Sequence, residues 1–285
     1  MFSGSNVALV TPFCNNQVDI DALAKIIEWQ IEEGTDGILV CGSTGEGLLL
    51  SEKERFEIIH KSIQVARKRA KIIVGCSACS TAEAIKLTEQ AEELEADGVL
   101  VIAPYYVKPT QNGIIKHFTE VHENSNIPII LYNNPGRCAV NMTIDTIVEL
   151  AKLPRIVGLK DSDTDLSKAT FIKSKIPNFT LLSGDDPTLA GYLAHGGDGA
   201  ISVTANIEPS LVKQLIDSWK KGDIKTMQNI SQKLAPLSEV MFVESNPIPA
   251  KYALFKKRLL KNELRLPLTA ASKLAMEKID AVLDK

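Results

Sequence analysis

The chain has few of the residues that would announce its chemistry cheaply. Cysteine occurs only five times in 285 residues, an odd number that makes no disulfide framework and predicts a reducing compartment. Cys76 and Cys79 form one C-x-x-C with no second pair or histidine at zinc spacing. The four histidines, His60, His117, His122 and His195, include no H-x-x-x-H pair that would put two imidazoles on one helical face, so no metal is expected. No apolar stretch reaches the roughly 20 residues a bilayer span needs, and Met1-Phe2-Ser3-Gly4 has neither the basic region nor the apolar core of a signal peptide. No membrane association and a cytoplasmic location are therefore expected. A net charge of -3 leaves no electrostatic footprint for nucleic acid, and the clusters Arg67-Lys68-Arg69 and Lys256-Lys257-Arg258 fall where helices should end, which is where cations are ordinarily found.

What the chain does have is apolar material, 45% of it hydrophobic, and a rhythm. Short runs rich in Val and Ile alternate with longer amphipathic stretches up to about residue 220. Such βα units build a parallel sheet. The eight runs lie near 6–10, 36–41, 71–76, 97–103, 128–133, 156–160, 179–183 and 199–204, and eight parallel strands point to a closed barrel. Asp36-Gly37, Asp97-Gly98 and Asp198-Gly199 each precede an apolar run, and glycine there is read as supplying the tight turn into the strand. Ser51-Glu52-Lys53-Glu54 reads as a capping box, and Asp186-Pro187 as an N-cap followed by a first-turn proline. After residue 222 the strand rhythm stops and three amphipathic segments follow, near 223–240, 248–260 and 268–284. The expectation is α/β: a (β/α)8 TIM barrel over residues 1–222 that carries the active site, with a C-terminal helical extension over 223–285 packed on it.

Active sites of such barrels sit at the C-terminal ends of the strands, so the polar residues that follow each run are the candidates. The sixth run, Ile156-Val157-Gly158-Leu159-Lys160, closes on an ammonium. An isolated lysine at a strand end ordinarily snorkels to solvent, but one withdrawn from water loses stabilisation of its charged form, which is how enzymes keep an amine free to attack a carbonyl. Around it stand Tyr105, Tyr106 and Tyr132, three of only five tyrosines, and a phenol beside an imine-forming lysine is a proton relay. The loop Gly42-Ser43-Thr44-Gly45-Glu46-Gly47 suits a small anion such as a carboxylate, but it is no Walker A loop, since Leu48 stands where that motif needs lysine,. Arg137, after a Pro-Gly turn, suits a second carboxylate in bidentate fashion. Asp185 and Asp186 suggest a metal, but capping of a helix by Asp186 explains the pair more simply.

These residues resemble the superfamily of dihydrodipicolinate synthase and N-acetylneuraminate lyase, the class I, Schiff-base aldolases, over essentially the whole chain. The marks are Gly42-Ser43-Thr44-Gly45-Glu46, Tyr105-Tyr106, Tyr132-Asn133 with Pro135 and Arg137, Gly158-Leu159-Lys160-Asp161, Leu182-Ser183-Gly184-Asp185, Ser202-Val203-Thr204-Ala205-Asn206 and Asn246-Pro247-Ile248-Pro249. Arg137 and the Asn-Pro-Ile-Pro segment place the resemblance in the branch that condenses pyruvate with L-aspartate 4-semialdehyde on the way to diaminopimelate and lysine. It implies that Lys160 forms an imine with pyruvate and that Tyr132, Thr44 and Tyr106 relay protons, Tyr106 reaching across a subunit interface of a homotetramer built as a dimer of dimers. It further implies that Ser43 and Thr44 take the pyruvate carboxylate, that Arg137 holds the semialdehyde, that Gly184 and Ile201 line the site through backbone groups, and that no external cofactor is used. Two departures bear on regulation: Cys79 and Glu52 stand where lysine-inhibited members carry an Asn and a His, while Tyr105 and Glu83 remain, so weak inhibition by lysine or none is expected. The competing readings are another pyruvate-dependent aldolase, differing in its second substrate, and a non-catalytic keto-acid sensor on the same barrel.

Overall fold

The strands of the computed structural model, which describes residues 1–284, close in sequential order into one parallel barrel. They are β1 (Gly4–Ala8), β2 (Gly37–Val40), β3 (Lys71–Gly75), β4 (Gly98–Ile102), β5 (Ile129–Asn133), β6 (Ile156–Asp161), β7 (Thr180–Ser183) and β8 (Gly199–Ser202). Each falls on an apolar run anticipated above. The strands are buried on both faces, which is why they read as continuous rather than alternating hydrophobic runs. A two-stranded ribbon, Phe13–Cys14 against Gln17–Val18, stands apart from the barrel.

Helices α1 (Ile20–Glu32), α2 (Glu52–Ala66), α3 (Thr81–Glu93), α4 (Gln111–Glu123), α5 (Pro135–Cys138), α6 (Ile144–Leu150), α7 (Ser167–Lys175), α8 (Leu189–Ala194) and α9 (Pro209–Lys220) alternate with the strands. α2 opens on the anticipated capping box, with the Ser51 hydroxyl and the Glu54 carboxylate exchanging bonds with each other's backbone N–H. It ends at Ala66, so that Arg67 to Arg69 do follow a helix end. α10 (Ile224–Val240) packs on α9, and α12 (Lys273–Leu283) packs on α10 and on α11 (Ile248–Lys256). One apolar core runs without a break from Phe2 to Ile279.

Two local expectations need correction. Gly37, Gly98 and Gly199 do not make the turns, since left-handed φ falls instead on Gly34 and Gly196, ahead of two of these units. At Gly37 and Gly199 what matters is space, because a Cβ would lie 2.1 Å from Asn6 Oδ1 and from the Gly4 carbonyl respectively. The aspartates bind a neighbouring strand: Asp36, Asp97 and Asp198 accept from the backbone N–H of Ser5, Ile72 and Leu181 at 2.8–2.9 Å. Asp186 is not the N-cap of α8 either. The cap is Thr188, and the Asp186 carboxylate turns inward to the N–H groups of Val203 and Thr204 at 2.9 and 2.8 Å. A carboxylate caps whichever N–H groups converge on it, and here those belong to the turn after β8.

Candidate active site

Register puts the two chemically decisive side chains together. In the β5–β6 pairing Tyr132 lies opposite Lys160 and Asn133 opposite Asp161. Directions alternate along a strand, so Lys160 enters the barrel mouth while Asp161 turns outward to Lys168 of α7 at 3.3 Å. Lys160 is 6% exposed, and its Nζ lies 4.5 Å from the centroid of the Tyr132 ring. A Cβ at Gly184 would come within 2.9 Å of Lys160 Cε and 2.2 Å of Ser162 Oγ, so only glycine leaves the lysine stem its place.

The Tyr132 phenol is buried, and its oxygen accepts from Asn134 Nδ2 at 2.8 Å. Burial pushes its pKa up, but the Lys160 ammonium, the bonds to Asn134 and Ser162 and the charge of Arg137 outweigh burial and hold it below the usual phenol range,. A phenol so placed gives up its proton more readily than a free tyrosine.

Above Lys160 the mouth encloses about 660 Å³, lined among others by Ser43, Thr44, Tyr132, Arg137, Lys160 and Gly184. Thr44 is buried and its hydroxyl accepts from Asn246 Nδ2 at 2.9 Å. The Thr11 hydroxyl holds the Gly45 carbonyl at 2.7 Å, while the N–H groups of Ser43 and Thr44 donate to no backbone carbonyl. Arg137 is exposed on the rim, with Nη2 3.3 Å from the Asn246 carbonyl. Five of the expected site residues beside Lys160 thus share one cavity.

Two do not. Ile201 is fully buried within β8, opposite Asn6, and Val203 lines the mouth instead. Tyr106 is 91% exposed. It is the central residue of a three-residue turn closed by Val107 N–H on the Tyr105 carbonyl at 2.8 Å, with φ +70°, a strained γ-turn geometry that costs about 1–3 kcal/mol and throws the ring off its own barrel. Sequence reasoning assigned no role to Asn134, Ser162 or Asn246. The first two follow a strand end directly, which was signal enough. Asn246 lies 202 residues from Thr44 in the chain, and only folding joins them.

Beside the mouth a second cavity of about 730 Å³ shares Ser43 and Arg137 with it and is lined also by Cys79, Glu83 and Tyr105. Glu52 is not among its walls, and its carboxylate meets Lys86 of α3 at 2.9 Å. Cys76 lies buried beneath, where burial pushes its thiol up to about 12, and its Sγ sits 3.2 Å from the Leu87 carbonyl. It is an inert core thiol, not half of a redox pair. No cluster of metal-ligating side chains occurs among the described residues.

A 4-hydroxy-tetrahydrodipicolinate synthase of Thermodesulfovibrio yellowstonii is 46% identical over 284 residues, covering 99% of this chain and 98% of its own. Among solved structures, dihydrodipicolinate synthase from Aquifex aeolicus superposes with a TM-score of 0.97 at 41% identity, over 99% of this chain and 97% of that one. A chloride-inhibited dihydrodipicolinate synthase from Acinetobacter baumannii, complexed with pyruvate, does so with a TM-score of 0.97 at 40% identity, over 100% and 98%. The model of the dihydrodipicolinate synthetase family matches residues 1–285, and with full-length relatives at this identity and a lysine and a phenol paired at the barrel mouth, the chain belongs to that family.

Proposed function

We propose that the chain is a 4-hydroxy-tetrahydrodipicolinate synthase, condensing pyruvate with L-aspartate 4-semialdehyde through an imine at Lys160. The observation that carries the reading is the Lys160–Tyr132 pair in register at the floor of a cavity whose rim holds Arg137. The Lys160 amine adds to the keto carbon of pyruvate, and loss of water leaves an iminium. This is a stronger electron sink than the ketone, so the methyl group gives up a proton and an enamine results. The enamine carbon attacks the aldehyde. The semialdehyde's own amine then attacks the iminium carbon, and release of Lys160 closes the ring.

Each step moves a proton, and Tyr132 is the group placed to carry it. Thr44 and, from the adjoining chain, the partner subunit's Tyr106 continue the relay toward solvent. Ser43 and Thr44 hold the pyruvate carboxylate through hydroxyl and N–H groups, Arg137 holds that of the semialdehyde, and Gly184 contributes backbone groups. No external cofactor enters, because the imine itself supplies the electron sink. The working unit is a homotetramer made of two tight dimers, and five cysteines without a disulfide suit the cytoplasm,. Residues 1–222 carry the chemistry, and 223–285 supply Asn246 against it.

Pyruvate consumption by the purified protein with and without L-aspartate 4-semialdehyde, with N-acetylmannosamine as the alternative aldehyde, tests the reading. Turnover specific to the semialdehyde, with borohydride trapping pyruvate on Lys160, is expected. Turnover with the sugar alone moves the chain to the lyases, and reversible pyruvate binding without a trapped adduct makes it a sensor.

A further inference from the structure

Behind the anion loop lies a buried ion pair that none of the chemistry above uses. Glu46 Oε1 and Lys251 Nζ are 2.6 Å apart, and both side chains are 0% exposed. Glu46 Oε2 accepts the Arg265 backbone N–H at 3.0 Å. The Lys251 ammonium and the Arg265 guanidinium both lie over the ring of Phe13, at 4.2 and 4.4 Å from its centroid. Taking two charges out of water costs several kcal/mol per ion, so such a pair is about neutral in stability against an apolar replacement. Geometry is what it can supply.

The loop it holds is stiff. Cys41 and Glu46 have left-handed φ of +55° and +53°, and a Cβ on Gly47 would lie 1.9 Å from the Cys41 carbonyl oxygen. A loop folded so tightly on itself moves as one body, and the pair fixes its far end. Its middle is fixed by Asn246 on Thr44. Asn246 and Lys251 belong to one short stretch at the start of α11, joined by Ile248 N–H on the Ser245 carbonyl and Lys251 N–H on the Pro247 carbonyl, both at 2.9 Å.

We propose that Glu46 and Lys251 are positioning residues that set where the Ser43 and Thr44 donors stand relative to Lys160, and so govern the handling of pyruvate but not of the second substrate. The inference rests on the synthase reading, in which those donors take the pyruvate carboxylate. Arg137, on another loop, meets the clamp only through its one 3.3 Å bond to the Asn246 carbonyl.

The test compares wild type with Glu46→Gln and with the charge-free pair Glu46→Gln/Lys251→Met, which leaves no lone buried ion and keeps the fold accessible. Both should raise the KM for pyruvate and slow borohydride-trappable imine formation by about 10- to 100-fold, the range for a lost supporting contact. The KM for the semialdehyde should stay within about twofold, as for a group with no part in uniform binding of that substrate. A folded double variant with wild-type pyruvate KM and trapping rate, whatever its melting temperature, overturns the inference and leaves the synthase reading intact. Equal rises in both KM values also overturn it. Wild type that traps no pyruvate removes the synthase reading, and this inference with it.

Discussion

At the scale of single residues, the reactivity of this site comes from what surrounds two side chains. Tyr132 titrates below an ordinary phenol because, although burial opposes it, the Lys160 charge and bonds from Asn134 and Ser162 favour the phenolate. Replacing it by phenylalanine keeps the ring under Lys160 and removes only the relay. Turnover should fall by about 10²–10⁴-fold, as for loss of a general acid–base group, while Lys160 still traps pyruvate, more slowly. Stopped-flow imine formation set against steady-state rates separates the two. Arg137 touches the chain through one long bond to Asn246, which leaves its guanidinium fork for a ligand. Arg137→Ala should spare imine formation and raise the KM for the semialdehyde by about 10- to 100-fold, the value of a charge-assisted hydrogen bond. Unchanged semialdehyde kinetics would remove Arg137 from substrate recognition.

At the scale of elements, the βα units explain why so much was legible. Strand positions followed from apolar runs bounded by turns, and the α2 start followed from its capping box, because both signals are local and each is set by residues within a few positions of one another. The Asp186 assignment failed for the complementary reason. A carboxylate's partners are chosen in space, and that of Asp186 accepts from the N–H groups of Val203 and Thr204 across 17 and 18 positions of chain. The same logic governs α2's acidic first turn. Glu54 is held at about 2, against an ordinary 4.5, chiefly by its hydrogen bonds to Arg265, which override the opposing effect of burial with help from Ser51. The unfolded chain therefore binds this proton first. The stability it lends is whole above 4.5 and drains away as pH falls toward 2,. Melting temperatures followed down that range should drop less steeply in Arg265→Gln than in wild type, and parallel curves would show that the pair contributes nothing.

At the scale of the whole molecule, the proposed reaction draws on a second copy of the chain. Tyr106 stands 91% exposed on a strained turn, with Val107 beside it 59% exposed, a placement that makes sense when a second copy covers it. A Lys160→Ala chain and a Tyr106→Phe chain should each be nearly inactive alone. Assembled together they should recover part of the activity, because a mixed dimer has one site with Lys160 intact that receives an intact tyrosine from its partner. No recovery would place Tyr106 in its own chain's site or outside the reaction. In the cavity lined by Cys79, Glu83 and Tyr105, Cys79 stands where the resemblance leads one to expect an asparagine in lysine-inhibited members, and Glu52, where it leads one to expect a histidine, is outside the lining and tied to Lys86. A lysine titration of activity should show weak inhibition or none; strong, saturable inhibition at submillimolar lysine would contradict this.

The sequence by itself determined the eight-stranded barrel, the helices that follow it, and the identity of the mouth residues that directly succeed a strand, because strand rhythm, helix caps and the polarity of a catalytic barrel end are all written within short stretches of chain. Tertiary structure alone decided which residues meet: that register sets Lys160 against Tyr132, that Asn246 reaches Thr44 across 202 positions, that Lys251 neutralises Glu46 behind the loop, and that Tyr106 faces away from its own site. Those contacts depend on distances between segments far apart in the chain, and closure of the barrel fixes such distances where local propensity does not.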